Sequence, residues 1–264
     1  MTARPVTPDD LVAELERRLH ADRPSALAFD GDGTLWSGDV GEDVFRFAVR
    51  NGRLREAARA QIEHEATSRG FGTFSDVNET AEHLFEAYLA HRYPEREMCE
   101  LMTWCFAGHT LSEMKQLASE ALLAASHSDR LHPEVAPVLH FARSRGVRTI
   151  VVSASPRAIV ELAAGAWGFA ATDVAAGTPL VVSGVIAPRM DGALPYAAAK
   201  CVAGRGLLGA AHWLASFGDN VFDLEMLLEA EVGVAVRPKP ALRARLSEVP
   251  GALLLANDAS SLAQ

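Results

Sequence analysis

The chain has 264 residues, 49% of them hydrophobic, and a formal net charge of −9. That length suits one large domain or two modest ones, and the acidic balance argues against a nucleic-acid binder or a protein drawn to anionic membrane surfaces. No run of 18 apolar residues is present, the string MTARPVTPDDLVAEL has acids where a secretory leader needs an apolar run, and three cysteines without metal-like spacing read as free thiols, so a soluble cytoplasmic protein is expected.

The first predicted element is a helix over residues 8–20, with Thr7 as cap, Pro8 in its first turn and Asp9 and Asp10 at its positive end. Ser25 to Phe29 then reads as a short buried strand. From about 40 to 126 the pattern is helical throughout, in DVFRFAVRNG, LREAARAQIEHEA, ETAEHLFEAYLAHRY, EMCELMTWCFAG and TLSEMKQLASEALLAA, with breaks at glycine or proline. No strand is expected in that block.

After His132-Pro133 the rhythm alternates. HPEVAPVLHFARSRG reads as helix, VRTIVVSA as strand, PRAIVELAAGAWG as helix and PLVVSGVIAPRM as a hairpin. AAAKCVAGRGL (helix), HWLASFGD (strand), NVFDLEMLLEA (helix), VGVAV (strand), PALRARL (helix) and ALLLA (strand) complete the chain. Apolar strands alternating with amphipathic helices imply an α/β fold, a parallel sheet covered on both faces. The strand at 25–29 joins that sheet, so the helical block becomes an insertion. The expected division is residues 1–38 and 131–264 for the α/β core and 39–130 for the helical cap.

Ligands of such sheets bind beyond the carboxyl ends of the strands. Asp30 and Asp32 stand at the end of the first strand, Ser153 at the end of the second, and Gly218, Asp219 and then Asp223 at the end of the third. Carboxylates that close repel unless a cation sits among them, and oxygen ligands favour Mg²⁺. Residues i and i+2 of extended chain point the same way, so Asp30 and Asp32 face one substrate together. One carboxylate can attack phosphorus while the other protonates the leaving oxygen. Gly31 and Gly33 allow a tight backbone path around a phosphate, Thr34 and Ser153 offer hydroxyls, and Lys200 offers a neutralising charge.

Together DGDGT (30–34), VVS ending at Ser153, Lys200 and GDNVFD (218–223) resemble, in order and context, the four motifs of the haloacid dehalogenase (HAD) superfamily of phosphohydrolases. The resemblance covers roughly residues 22–38 and 131–257. It implies a Rossmann-like core and a C1-type helical cap. It also implies Asp30 as nucleophile of an aspartyl-phosphate intermediate and Asp32 as general acid and base. Ser153 and Lys200 would hold phosphate, with Thr34 beside them. Asp30, Asp32 (through its carbonyl) and Asp219 would hold Mg²⁺, supported by Asp223. SASP (153–156) is similar to the phosphoserine phosphatase branch, and TLWSGDVGED resembles phosphorylcholine phosphatases.

Those likenesses make Trp36, Asp39, Glu42 and Arg157 candidates for reading the rest of the substrate, with Trp36 equally suited to packing under the cap and Arg157 to a solvated first turn. The expected function is Mg-dependent hydrolysis of a small phosphorylated metabolite, phosphoserine-like or otherwise amine-bearing. Phosphorylcholine or phosphoethanolamine hydrolysis, phosphotransfer to an acceptor alcohol and a non-catalytic binding role are the alternatives. His64-Glu65 does not complete HExxH, and His83 and His91 read as solvated helix residues.

Overall fold

The computed structural model describes residues 3–20 and 22–256; the outermost ends of the expected core, residues 1–2 and 257–264, lie outside them. Among the described residues the chain runs β1 (Arg4–Val6), α1 (Pro8–Arg18), β2 (Ser25–Phe29), α2 (Val40–Arg50), α3 (Arg59–Ser68), α4 (Val77–Leu89), α5 (Glu95–Trp104), α6 (Leu111–Ala124) and α7 (Ala136–Arg145). It continues through β3 (Arg148–Pro156), α8 (Arg157–Gly165), β4 (Val174–Gly177), β5 (Pro179–Val182), β6 (Val185–Met190), α9 (Ala198–Leu208), β7 (His212–Gly218), α10 (Leu224–Glu229), β8 (Val232–Val236), α11 (Pro240–Arg245) and β9 (Leu253–Leu255).

A seven-stranded sheet has the order β1-β9-β8-β7-β2-β3-β4. Every pairing in it is parallel. β2 lies inside the sheet, between β7 and β3, and its five residues SALAF are all buried, which is why the strand reads as an unbroken apolar run rather than an alternation. VGVAV of β8 is buried in the same way.

Local chemistry sets the helix starts. Thr7 Oγ1 accepts from Asp10 N at 3.1 Å, with Pro8 in the first turn of α1. Thr110 and Glu113 form a reciprocal capping box on α6. Asp39 caps α2 by accepting from Glu42 N at 2.8 Å.

Two strands depart from the sequence reading. β1 (RPV) and β4 (VAAG) are edge strands of 3 and 4 residues, too short to carry a periodic signal. β3 also runs past Ser153 to Pro156, with a register shift against β4 between Val152 and Pro156. The helix expected from Asn220 opens instead with a 3-10 turn, Val221–Asp223, before α10.

α2 to α6 lie between β2 and β3 in the chain and pack on one another and on α8. Their apolar faces share one continuous core with the sheet, from Leu27 and Phe29 through Phe45, Ile62, Leu84 and Met98 to Met114. The β5–β6 hairpin reaches this block by two backbone bonds: Gly108 N donates to Ile186 O at 2.9 Å and Ile186 N to His109 O at 2.8 Å. No helix of the described residues is long and apolar enough to cross a membrane.

Candidate active site

Asp30 follows the last residue of β2, and its N–H donates to Phe217 O of β7 at 2.9 Å, extending the ladder by one step. The residue is 6% exposed. Lys200, in the first turn of α9, places Nζ 2.6 Å from Asp30 Oδ1 and 2.5 Å from Asp223 Oδ1. Asp223 is wholly buried, and its Oδ2 accepts from Asp219 N at 3.1 Å and Asn220 N at 2.9 Å, folding the Gly218–Asp223 loop back on itself. Asp219, one residue beyond β7, meets Lys239 Nζ at 3.1 Å through Oδ2. Its Oδ1 is buried with no partner.

Carboxylate oxygens of Asp30, Asp219 and Asp223 all lie within 4.8 Å of one another. Three acids that close, one of them with an orphaned oxygen, fit a hard divalent cation taking oxygen ligands. The electrostatics agree. Burial, then the charge of Asp223, push the Asp30 carboxyl well above its ordinary range, against the pull of Lys200. Burial also raises Asp219 to about 6, with Lys239 opposing. Burial works against the Lys200 ammonium, but the charges of Asp223 and Asp30 outweigh it and hold the lysine protonated.

Asp32 is fixed by three donors. Oδ1 accepts from Trp36 Nε1 and from Val40 N, each at 2.8 Å, and Oδ2 accepts from Ser155 Oγ at 2.7 Å. The turn that makes this possible needs glycine at Gly33: φ is +84°, and a Cβ there would overlap the Asp219 carboxylate. Ser153, 1% exposed, accepts from Ser155 N at 3.1 Å.

A cavity of about 60 Å³ lies over this group, lined by Asp30, Asp32, Asp39, Ser153, Lys200 and Asp219 of the expected set. Asp223 stands beneath it, joined through Lys200. The other expected residues stand elsewhere. Thr34 is wholly buried with an unpartnered hydroxyl, because the turn at Gly33 carries it inward. Trp36 is wholly buried, its indole committed to Asp32 and its ring edge-on to His127 at 5.1 Å. Glu42 accepts from Tyr88 Oη at 3.0 Å. Arg157 pairs with Glu161 at 2.9 Å, its side chain 42% exposed. None of these four lines the cavity.

Sequence reasoning misses Ser155, Lys239, Glu95, Cys99, Tyr196 and Phe222, all on the cavity wall. Lys239 is within its reach, since RPKP follows the strand VGVAV directly and strand ends are where ligands bind. Glu95 and Cys99 carry no such signal, because it is the tertiary packing of α5 against β3 and β6 that brings them there.

A model of the family described as haloacid dehalogenase-like hydrolase matches residues 27–228. No curated protein matches the chain at a significant level. Among solved structures, a protein of unknown function from Bordetella pertussis Tohama I superposes with a TM-score of 0.69 at 20% identity, covering 89% of this chain and all (100%) of that one. A HAD family hydrolase from Salmonella enterica serovar Typhi gives 0.56 at 15% identity, covering 96% of this chain and 77% of that one. A substrate-bound phosphoserine phosphatase gives 0.53 at 14% identity, covering 90% and 95%. At these identities the likeness is one of fold.

Proposed function

The chain belongs to the haloacid dehalogenase-like hydrolase family, and from that premise we propose that it hydrolyses a small amine-bearing phosphomonoester through a phosphorylated Asp30, with Mg²⁺ as cofactor. The observation that carries this reading is the pairing of Asp30 with Lys200 at 2.6 Å beside an acid, Asp32, held by three donors. A buried carboxylate locked to a lysine, with a second carboxylate aimed at the same small cavity, suits in-line attack and proton transfer on one phosphoryl group.

Asp30, Asp219 and the Asp32 carbonyl would hold the cation, with Asp223 in support, and it would offset the charge of the phosphoryl oxygens. The chain's own residues do the rest. An Asp30 oxygen bonds to phosphorus as the ester P–O bond breaks, and the departing oxygen takes a proton from Asp32. Water then attacks phosphorus and gives its proton back to Asp32. Inorganic phosphate leaves and Asp30 is restored. Lys200, fixed between Asp30 and Asp223, opposes the burial and the like charges that favour protonation of the nucleophile. The Ser153 hydroxyl, on the cavity wall, donates to a phosphoryl oxygen.

Asp39 on the cavity wall supports an amine on the substrate. Arg157, committed to Glu161, does not supply the carboxylate contact that phosphoserine would need, which favours an amine without a carboxylate. The small volume of the cavity, about 60 Å³, suits a small substrate. A reducing, cytoplasmic setting is part of the same proposal, supported by the free thiols of Cys99, Cys105 and Cys201.

The test is phosphate release from phosphoserine, phosphocholine, phosphoethanolamine, a sugar phosphate and an aryl phosphate, with and without Mg²⁺. Magnesium-dependent release is the expected result; none from any ester, with metal bound, would reject the proposal. Two variants sharpen it. Asp219→Ala should weaken Mg²⁺ binding at least about tenfold by calorimetry, and an unchanged isotherm would remove Asp219 from the ligand set. Trp36→Phe keeps the buried ring but deletes the donor to Asp32, so kcat should fall about tenfold with KM nearly constant. Loss of KM alone would contradict the positioning role.

A further inference from the structure

Within the cavity Lys200 stands between Asp30 and Asp223, Lys239 meets Asp219, and Asp32 is held by three neutral donors. Asp39 and Glu95 also line it, and among the described residues neither carboxylate has a cation within ion-pair distance. Asp39 is occupied only in capping α2, through Glu42 N. Glu95 opens α5 after Pro94, which gives the helix no side-chain cap. Lys239 is the cation whose field reaches Glu95 most strongly, and it is bound to Asp219.

Glu95 also walls a second pocket of about 260 Å³, formed with Tyr88, Leu89, His91, Tyr93 and Pro94. It thus stands at the boundary between the phosphate cavity and a roomier outer space. Tyr196 and Phe222 line the same cavity, their rings packed on each other with centroids 4.4 Å apart, and add apolar surface to its wall. Cys99 completes that wall, its thiol pushed up by burial and by Asp39 and Glu95, and so uncharged.

We propose that Glu95, together with Asp39, is the specificity-determining group of this enzyme, binding the ammonium of a phosphomonoester whose amine lies on a short alkyl arm. The inference rests on the phosphatase reading above and goes beyond it by assigning the amine contact to a residue of α5. An acid without a protein cation, half-buried beside a narrow cavity, is poorly solvated. A substrate ammonium supplies the missing partner, and a neutral or anionic arm does not.

The experiment compares 2-aminoethyl phosphate with propyl phosphate, a neutral isostere, on wild type and on Glu95→Gln. Wild type should favour the amine ester in kcat/KM by at least about tenfold. In Glu95→Gln that ratio should fall about tenfold, with the loss lying in KM of the amine ester. Glu95→Lys should shift preference towards phosphoglycolate. A ratio equal in wild type and Glu95→Gln overturns the proposal, as does a fall shared by both esters alongside a lower Tm, the mark of an acid that only stabilises the start of α5. A wild type that releases phosphate from none of these, nor from an aryl phosphate, rejects instead the phosphatase reading on which the proposal stands.

Discussion

Asp30→Asn is expected to lose phosphate release by at least about 10⁴-fold while keeping its fold. The amide has the shape of the carboxyl but no lone pair basic enough to attack phosphorus. Stability should hold because the substitution removes one of several crowded acids. Asp30 is pushed well above its ordinary range by burial and by the charges of Asp223, Asp219 and Asp32, so its negative charge is a strain on the folded state that Lys200 chiefly opposes. In the variant Lys200 still has Asp223 at 2.5 Å. The check is steady-state turnover beside thermal unfolding, with mass spectrometry to confirm that the introduced amide has not hydrolysed back to the acid. Wild-type turnover in an intact variant would remove Asp30 as nucleophile.

Lys200→Met should cost about 3–5 kcal/mol of stability as well as the activity. Its Nζ is the shared partner of two carboxylates, side chains 8% and 0% exposed, and methionine leaves both without a cation. The deficit has a direction in pH. Asp30 already titrates above its unfolded value, and losing Lys200 removes the charge that held it down. A carboxyl whose folded pKa is raised binds protons on folding, so its contribution improves as pH falls and worsens as pH rises through the folded pKa. Denaturant unfolding of wild type and variant should therefore converge on acidification from neutral pH. A variant as stable as wild type at pH 7 would show that the acids find another cation.

The parts of the fold that can be read from sequence are those with a long signal. SALAF, HWLASFG and VGVAV are apolar runs because their strands are buried on both faces, and the acids that follow the first two mark the ligand-binding edge. RPV and VAAG are too short for any pattern, so the two sheet edges escape. The same logic divides the site. Asp30, Asp32, Ser153, Lys200 and Asp219 follow from strand ends and chain order, and the structure brings them to one cavity. Trp36 is a substrate candidate through the likeness of TLWSGDVGED and is equally suited to packing under the cap, and the structure buries it. A buried indole needs a hydrogen-bond acceptor, and Asp32 four residues earlier provides it. Arg157 carries its own warning, since Glu161 stands one helical turn on. Glu95 is beyond such reading, because nothing local distinguishes it from any acid in a first helical turn.

The hairpin β5–β6 has a consequence for how substrate gets in. The chain enters and leaves the helical block near Asp32 and Leu131, where Trp36 and Leu131 are themselves bridged. If those were its sole attachments, the block would swing like a door on one side. The bonds between Gly108, His109 and Ile186 fasten it at a second place, distant in sequence. A block held at both places favours entry by local movement at the cavity wall over a swing of the whole block, and that wall includes Glu95 and Cys99 of α5.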